Sequence, residues 1–171
     1  KHKKPIVVAV SGGMDPIHVG HIRLIQDARK LGDSPRSGGA GKLILILNND
    51  NWLKNKKTHI FMHQKERKEI LETIKGVDEV VLTNHKPNPD DMSVSKELMK
   101  IKPDIFANGG DRTSANTPEA SVCRIIGCKM AYNVGRGGKI QSSSRLLAGY
   151  VEKLKPVRKL AVQKILNELK S

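Results

Sequence analysis

Residues 6–21 read Ile6-Val-Val-Ala-Val10-Ser11-Gly12-Gly13-Met14-Asp15-Pro16-Ile17-His18-Val19-Gly20-His21, a β-branched run that passes through a glycine pair into a helical pattern. The run predicts a buried strand over Ile6 to Val10, and the small residues after it let a ligand approach the backbone. The helix that follows, with Ile22, Ile25, Ala28 and Leu31 before Gly32, presents unpaired N–H groups and the positive end of its dipole. Together Ser11, Gly12, Gly13, Asp15 and Gly20 outline a phosphate cradle. The glycine spacing is neither that of a dinucleotide fingerprint nor that of a P-loop, and no Lys-Ser/Thr pair follows. His18 and His21 instead stand on one face of the opening helical turn, where both can donate to phosphate oxygens or cap the helix.

Four further apolar runs repeat the strand pattern: Leu43 to Leu47, Glu79 to Leu82, Asp104 to Ala107 and Lys129 to Val134. Helical spacing lies between them. The alternation predicts an α/β chain, a single Rossmann-like domain with a five-stranded parallel sheet, helices on both faces and a C-terminal helical extension. The boundary is expected at 148/149, with the domain over 1–148 and the extension over 149–171. Ligands should collect at the carboxyl ends of the strands, near the switch in strand order.

The chain has 171 residues, which fits one core. With 31 Lys and Arg against 17 Asp and Glu its net charge is +14, so anionic partners are favoured. Aromatic residues make up only 3%, which argues against a single-stranded nucleic-acid binder that stacks bases. No apolar run approaches the roughly 20 residues that span a bilayer, and the start KHKKPIVVAV shows no signal-peptide pattern. The expectation is a cytoplasmic protein with no membrane partner. Cys123 and Cys128 lack the company of a zinc site or a disulfide framework and read as reduced core thiols.

Three more clusters fall at predicted strand ends. Asn48, Asn49 and Asp50 are followed by Lys54, Lys56 and Lys57, a cluster that is either solvated surface or turned to the crevice. Asn108-Gly109-Gly110-Asp111-Arg112 closes the fourth strand with two glycines and a carboxylate acceptor, the pattern of a tight turn or of a contact with a hydroxylated group. Arg136 to Arg145, reading RGGKIQSSSR, brings Ser142, Ser143 and Ser144 to a helix start, where hydroxyls cap N–H groups or bind phosphate. The segment 34–41 reads as a surface loop, and Asn84 to Asp91 as another. After Ser144 a helix is expected to about Leu154, a break at Pro156, and then an amphipathic helix with Leu160, Ile165 and Leu169 inward.

The order of strand, glycine pair, Asp-Pro and His-x-Gly-His resembles the nucleotidylyltransferase superfamily that carries His-x-Gly-His, with Met14 where that family more often has Phe. The Gly-Gly-Asp stretch is similar to adenylyltransferases acting on heptose 1-phosphate, and more distantly to glycerol-3-phosphate cytidylyltransferase. The resemblance covers about residues 5–148, with 34–41 as an insertion. It implies a cytidylyltransferase-like enzyme that moves CMP or AMP from CTP or ATP to a phosphorylated sugar or alcohol by direct in-line attack.

The resemblance implies His18, His21, Lys57 and Arg136 as catalytic. It places Ser11, Gly12, Gly13, Asp15, Gly20, Gly109, Gly110, Asp111 and the serines 142 to 144 on the nucleotide, and Asn48, Asp50 and Lys54 on the acceptor. Arg67, in a Glu-Arg step, reads as structural. Mg²⁺ would be held mainly by the substrate phosphates, with no metal site of the protein's own, and a homodimer is expected. The runner-up readings are a basic nucleic-acid-binding module and a nucleotide sensor of the same fold.

Overall fold

The computed structural model describes residues 4–33, 41–110, 112–135 and 141–168. Five strands, β1 (Val7–Gly12), β2 (Lys42–Leu47), β3 (Glu79–Leu82), β4 (Ile105–Ala107) and β5 (Lys129–Ala131), form one sheet in the order β3-β2-β1-β4-β5. Every pairing is parallel. Between them run α1 (Val19–Gly32), α2 (Asp50–Lys57), α3 (Gln64–Glu72), α4 (Ser95–Ile101) and α5 (Ala120–Ile126), and α6 (Ser143–Glu168) closes the chain.

Alternation along the central strand decides the two cores. Val8 and Val10 join Leu43, Leu45, Leu47, Ile25, Ala28 and Leu71 on the α1/α3 side, while Ala9 joins Ile46, Leu98, Phe106 and Cys123 on the other. Both faces are dry, which is why the strands read as unbroken apolar runs. Met14 is buried in the first core, so it fills the position where the resembling family more often carries Phe. Cys123 and Cys128 are free and buried, and burial pushes the Cys128 thiol up to about 12.

The chain builds outward from β1 to β3, then returns across the sheet to place β4 on the other side of β1. That reversal opens a crevice beyond the carboxyl ends of β1 and β4. β5 stops at Ala131 rather than at Val134, because β4, its one partner among the described residues, ends at Ala107 where the Gly109-Gly110 turn departs.

The expected break at Pro156 needs correction. α6 is one helix of 26 residues with Pro156 inside it. Leu160, expected inward, is exposed, as are Tyr150, Val151, Leu154 and Val157. Ile165 and Leu169 lie outside the side chains described. Among the described residues no helix is long and apolar enough to cross a membrane.

Candidate active site

The turn after β1 is organised by backbone contacts from far along the chain. Gly13 has no room for a side chain, since an added Cβ would come within 2.8 Å of Leu53 Cδ2. Its carbonyl accepts from Arg67 Nη1 at 2.6 Å. Arg67 is 1% exposed, and it also donates to the carbonyls of Met62 and Asn48 and forms an ion pair with Asp50 at 2.7 Å. One buried guanidinium thus joins the glycine turn, the end of β2, the start of α2 and the loop before α3. Its structural reading holds.

His18 is the N-cap of α1. Its Nδ1 accepts from Gly20 N at 3.1 Å, and His21 Nδ1 accepts from His18 N at 3.2 Å. The rings stack with centroids 3.8 Å apart. The glycine of His-x-Gly-His follows from this packing, because a Cβ on Gly20 would meet His18 Cε1 at 2.9 Å. With both Nδ1 atoms accepting, each neutral ring carries its proton on Nε2 and keeps that donor for a ligand. Burial, and then the Lys57 charge, lowers His18. Burial, then His18, then Lys57, pushes His21 down to about 3. The pair is therefore neutral near pH 7, with both Nδ1 atoms used in the cap and both Nε2 protons left over.

Of the three lysines, Lys57 comes into the site, its Nζ donating to the Asp15 carbonyl at 2.8 Å. Burial is the main influence lowering its pKa. Lys54 and Lys56 are exposed along α2 and are not brought in.

Several expected contacts are spent on the fold. Asp15 is 0% exposed and its two carboxylate oxygens accept from Phe61 N and Met62 N, so it is not presented to a nucleotide or metal. Asp50 is held by Arg67 and His63, and Asn48 is 4% exposed beneath the turn. Asp50 is thus taken up by the fold, whereas the Asn48 side-chain Oδ1 is buried without a hydrogen-bond partner among the described residues. Ser143 Oγ donates to the Pro16 carbonyl at 2.8 Å, tying α6 to the β1–α1 turn. Ser142 Oγ accepts from Arg145 N in the first turn of that helix. Ser144 is exposed. Gly12 carbonyl accepts from Asn48 N, which fixes the ends of β1 and β2 together. Asp111 and Arg136 lie outside the described residues.

A cavity of about 180 Å³ occupies the crevice, lined by Ser11, His18, Gly20, Gly109, Gly110 and Glu119 among others. Glu119 was not foreseen. The Thr-Pro-Glu sequence before α5 marks a helix start, but only the fold carries that carboxylate to the cavity, 6% exposed and with Oε1 accepting from Val94 N at 3.1 Å. It offers an acceptor to a hydroxyl or amino group, and Arg112 lines the same wall. Among the described residues no group of three His, Cys, Asp or Glu side chains could hold a metal. Asp15, with both oxygens already accepting, is not free to help hold Mg²⁺.

A family model described as cytidylyltransferase-like matches residues 9–129. The FAD synthase of Ferroglobus placidus is 34% identical over 105 residues, which is 61% of this chain and 59% of that protein. The FAD synthase of Pyrococcus abyssi is 33% identical over 126 residues, 73% of this chain and 76% of that protein. The chain thus spans less than two thirds of the length of the first of these relatives. The crystal structure of the lipopolysaccharide core biosynthesis protein from Thermoplasma volcanium has a TM-score of 0.60 at 23% identity, covering 78% of this chain and 100% of that one. That likeness shows the fold.

Proposed function

This chain belongs to the cytidylyltransferase-like family, and from that membership we propose that it transfers the adenylyl group of ATP to a phosphorylated acceptor, with FMN as the acceptor and FAD and pyrophosphate as products. The donor and acceptor follow the relatives named FAD synthase rather than the sugar or alcohol phosphates considered from sequence.

The observation that carries the reading is the His18–His21 stack with both Nδ1 atoms held by backbone N–H groups. It supports two fixed, neutral Nε2 donors aimed at charge that grows on the α-phosphoryl group. A terminal oxygen of the acceptor phosphate attacks the α-phosphorus, the bond from that phosphorus to the bridging oxygen breaks, and pyrophosphate leaves in line with its electron pair. A phosphate monoester has its second pKa near 6, so the dianion needs no general base. Lys57 sets a positive charge beside the pair and offsets the repulsion between the two anions. Gly109 and Gly110 allow the nucleoside close to the backbone, and Glu119 accepts from it. Mg²⁺ would be held mainly by the substrate phosphates and would neutralise their charge.

The homodimer is also proposed. It is supported by α6, whose side chains from 148 to 160 are all exposed in the single chain, Tyr150, Val151, Leu154, Val157 and Leu160 among them.

A matrix of ATP and CTP against FMN, glycerol 3-phosphate and sugar 1-phosphates, read by pyrophosphate release, tests the activity. ATP with FMN should give the largest kcat/KM and a product with the absorbance and mass of FAD. Turnover confined to CTP, or to an aliphatic phosphate, overturns the choice of substrates. No turnover with any pair overturns the transferase reading.

A further inference from the structure

The loop between α2 and α3 is held over the β1 turn by its main chain. Phe61 N donates to Asp15 Oδ2 at 2.8 Å and Met62 N to Asp15 Oδ1 at 2.7 Å, while Lys57, at the end of α2, donates to the carbonyl of the same Asp15. The loop therefore needs nothing from the Phe61 side chain. That ring belongs to neither core and is 58% exposed. The chain has only two Phe, two Tyr and one Trp, and the other Phe is wholly buried. An exposed phenyl ring on a loop pinned by its backbone beside a phosphate site loses little entropy on contact with a ligand, and it gains most from a flat apolar one.

Trp52 stands nearby, its ring 3.3 Å from where a Gly13 Cβ would be and its Nε1 donating to the Met92 carbonyl at 2.8 Å. Its polar end is satisfied within the protein and its ring is only partly exposed, so Phe61 is the more exposed of the two rings. Phe61 is not among the residues that line the cavity at the carboxyl ends of β1 and β4.

We propose that Phe61 is the stacking platform for the acceptor, so that the enzyme selects phosphates carrying a planar aromatic ring system over aliphatic ones. The proposal rests on the adenylyl-transfer reading for its acceptor phosphate beside Lys57 and His18, and it adds the residue that recognises the rest of the molecule. An alditol or glycerol phosphate gains nothing from the same surface.

The test uses the full chain, wild type, Phe61→Ala and Phe61→Tyr. FMN binding is followed by quenching of flavin fluorescence, and FAD formation by pyrophosphate release. Loss of one stacking contact should raise the Kd and KM for FMN about tenfold in Phe61→Ala. The KM for ATP should hold, kcat at saturating FMN should stay within about twofold, and Phe61→Tyr should restore binding. FMN affinity unchanged in Phe61→Ala, with FAD still made, overturns the platform and leaves adenylyl transfer standing. Wild-type turnover that favours glycerol 3-phosphate over FMN overturns it too. Absence of pyrophosphate release from every pair, with FMN binding still weakened by Phe61→Ala, sinks the transfer reading and leaves the platform intact.

Discussion

Arg67 Nη1 donates to the carbonyl of Gly13 at 2.6 Å across 54 residues of sequence, from a side chain that is fully buried. The same nitrogen donates to the Asn48 carbonyl at 2.8 Å, and Nη2 reaches Asp50. The glycine turn that opens the site is therefore held from beneath.

Arg67→Lys should be strongly destabilising, because an ammonium cannot reproduce a fork that spans four acceptors. Leaving buried acceptors and the Asp50 carboxylate short of partners costs about 3–5 kcal/mol. Urea unfolding of the two proteins measures this, and a midpoint shift worth under about 1 kcal/mol would show that the turn does not depend on Arg67.

Gly20→Ala separates positioning from stability. Alanine favours the helix, yet its Cβ would lie 2.9 Å from His18 Cε1 and push the ring off its cap. A displacement of that kind should lower kcat about 100-fold with little change in thermal midpoint. Wild-type turnover in this variant would mean that the ring position observed here is not the working one.

The pH dependence of stability has a defined sign. His21 titrates at its ordinary 6.5 when unfolded and at about 3 when folded, because burial and the neighbouring His18 and Lys57 disfavour its cation. Below pH 6.5 the unfolded chain binds a proton that the folded chain refuses, so this stability is full above 6.5 and is lost as pH falls toward 3. The slope for one such group is at most ~1.4 kcal/mol per pH unit. His18, lowered for the same first reason, acts in the same direction. His21→Asn should flatten the decline between pH 6 and 4 in denaturant titrations, and an unchanged slope would place the pH-sensitive group elsewhere.

The exposed apolar stripe on α6 predicts a dimer in solution. Light scattering should give about twice 18.9 kDa for the wild type, and Tyr150→Glu with Leu154→Glu should give the monomer mass with far-ultraviolet circular dichroism unchanged. A monomeric wild type at high micromolar concentration removes the assembly.

All five strands, the crevice at their carboxyl ends and the His-x-Gly-His turn were readable from the chain, because strand and helix periodicities are local and the fold buries both sheet faces. Gly20 and the two histidines lie within one helical turn, so their partnership is also a local matter. What the chain alone left open was which polar groups remain for a ligand. Asp15 was read toward nucleotide, but Phe61 N and Met62 N reach it from 46 and 47 residues away. Ser143 is likewise spent on Pro16, 127 residues distant. A carboxylate or hydroxyl is free only if no distant donor or acceptor satisfies it first, and that is settled by packing. The same packing chose Lys57 from three adjacent candidates, brought Glu119 to the cavity wall and left Phe61 in the open. Local sequence determined the scaffold and its glycine-histidine turn, and long-range hydrogen bonding decided which side chains there are left to act.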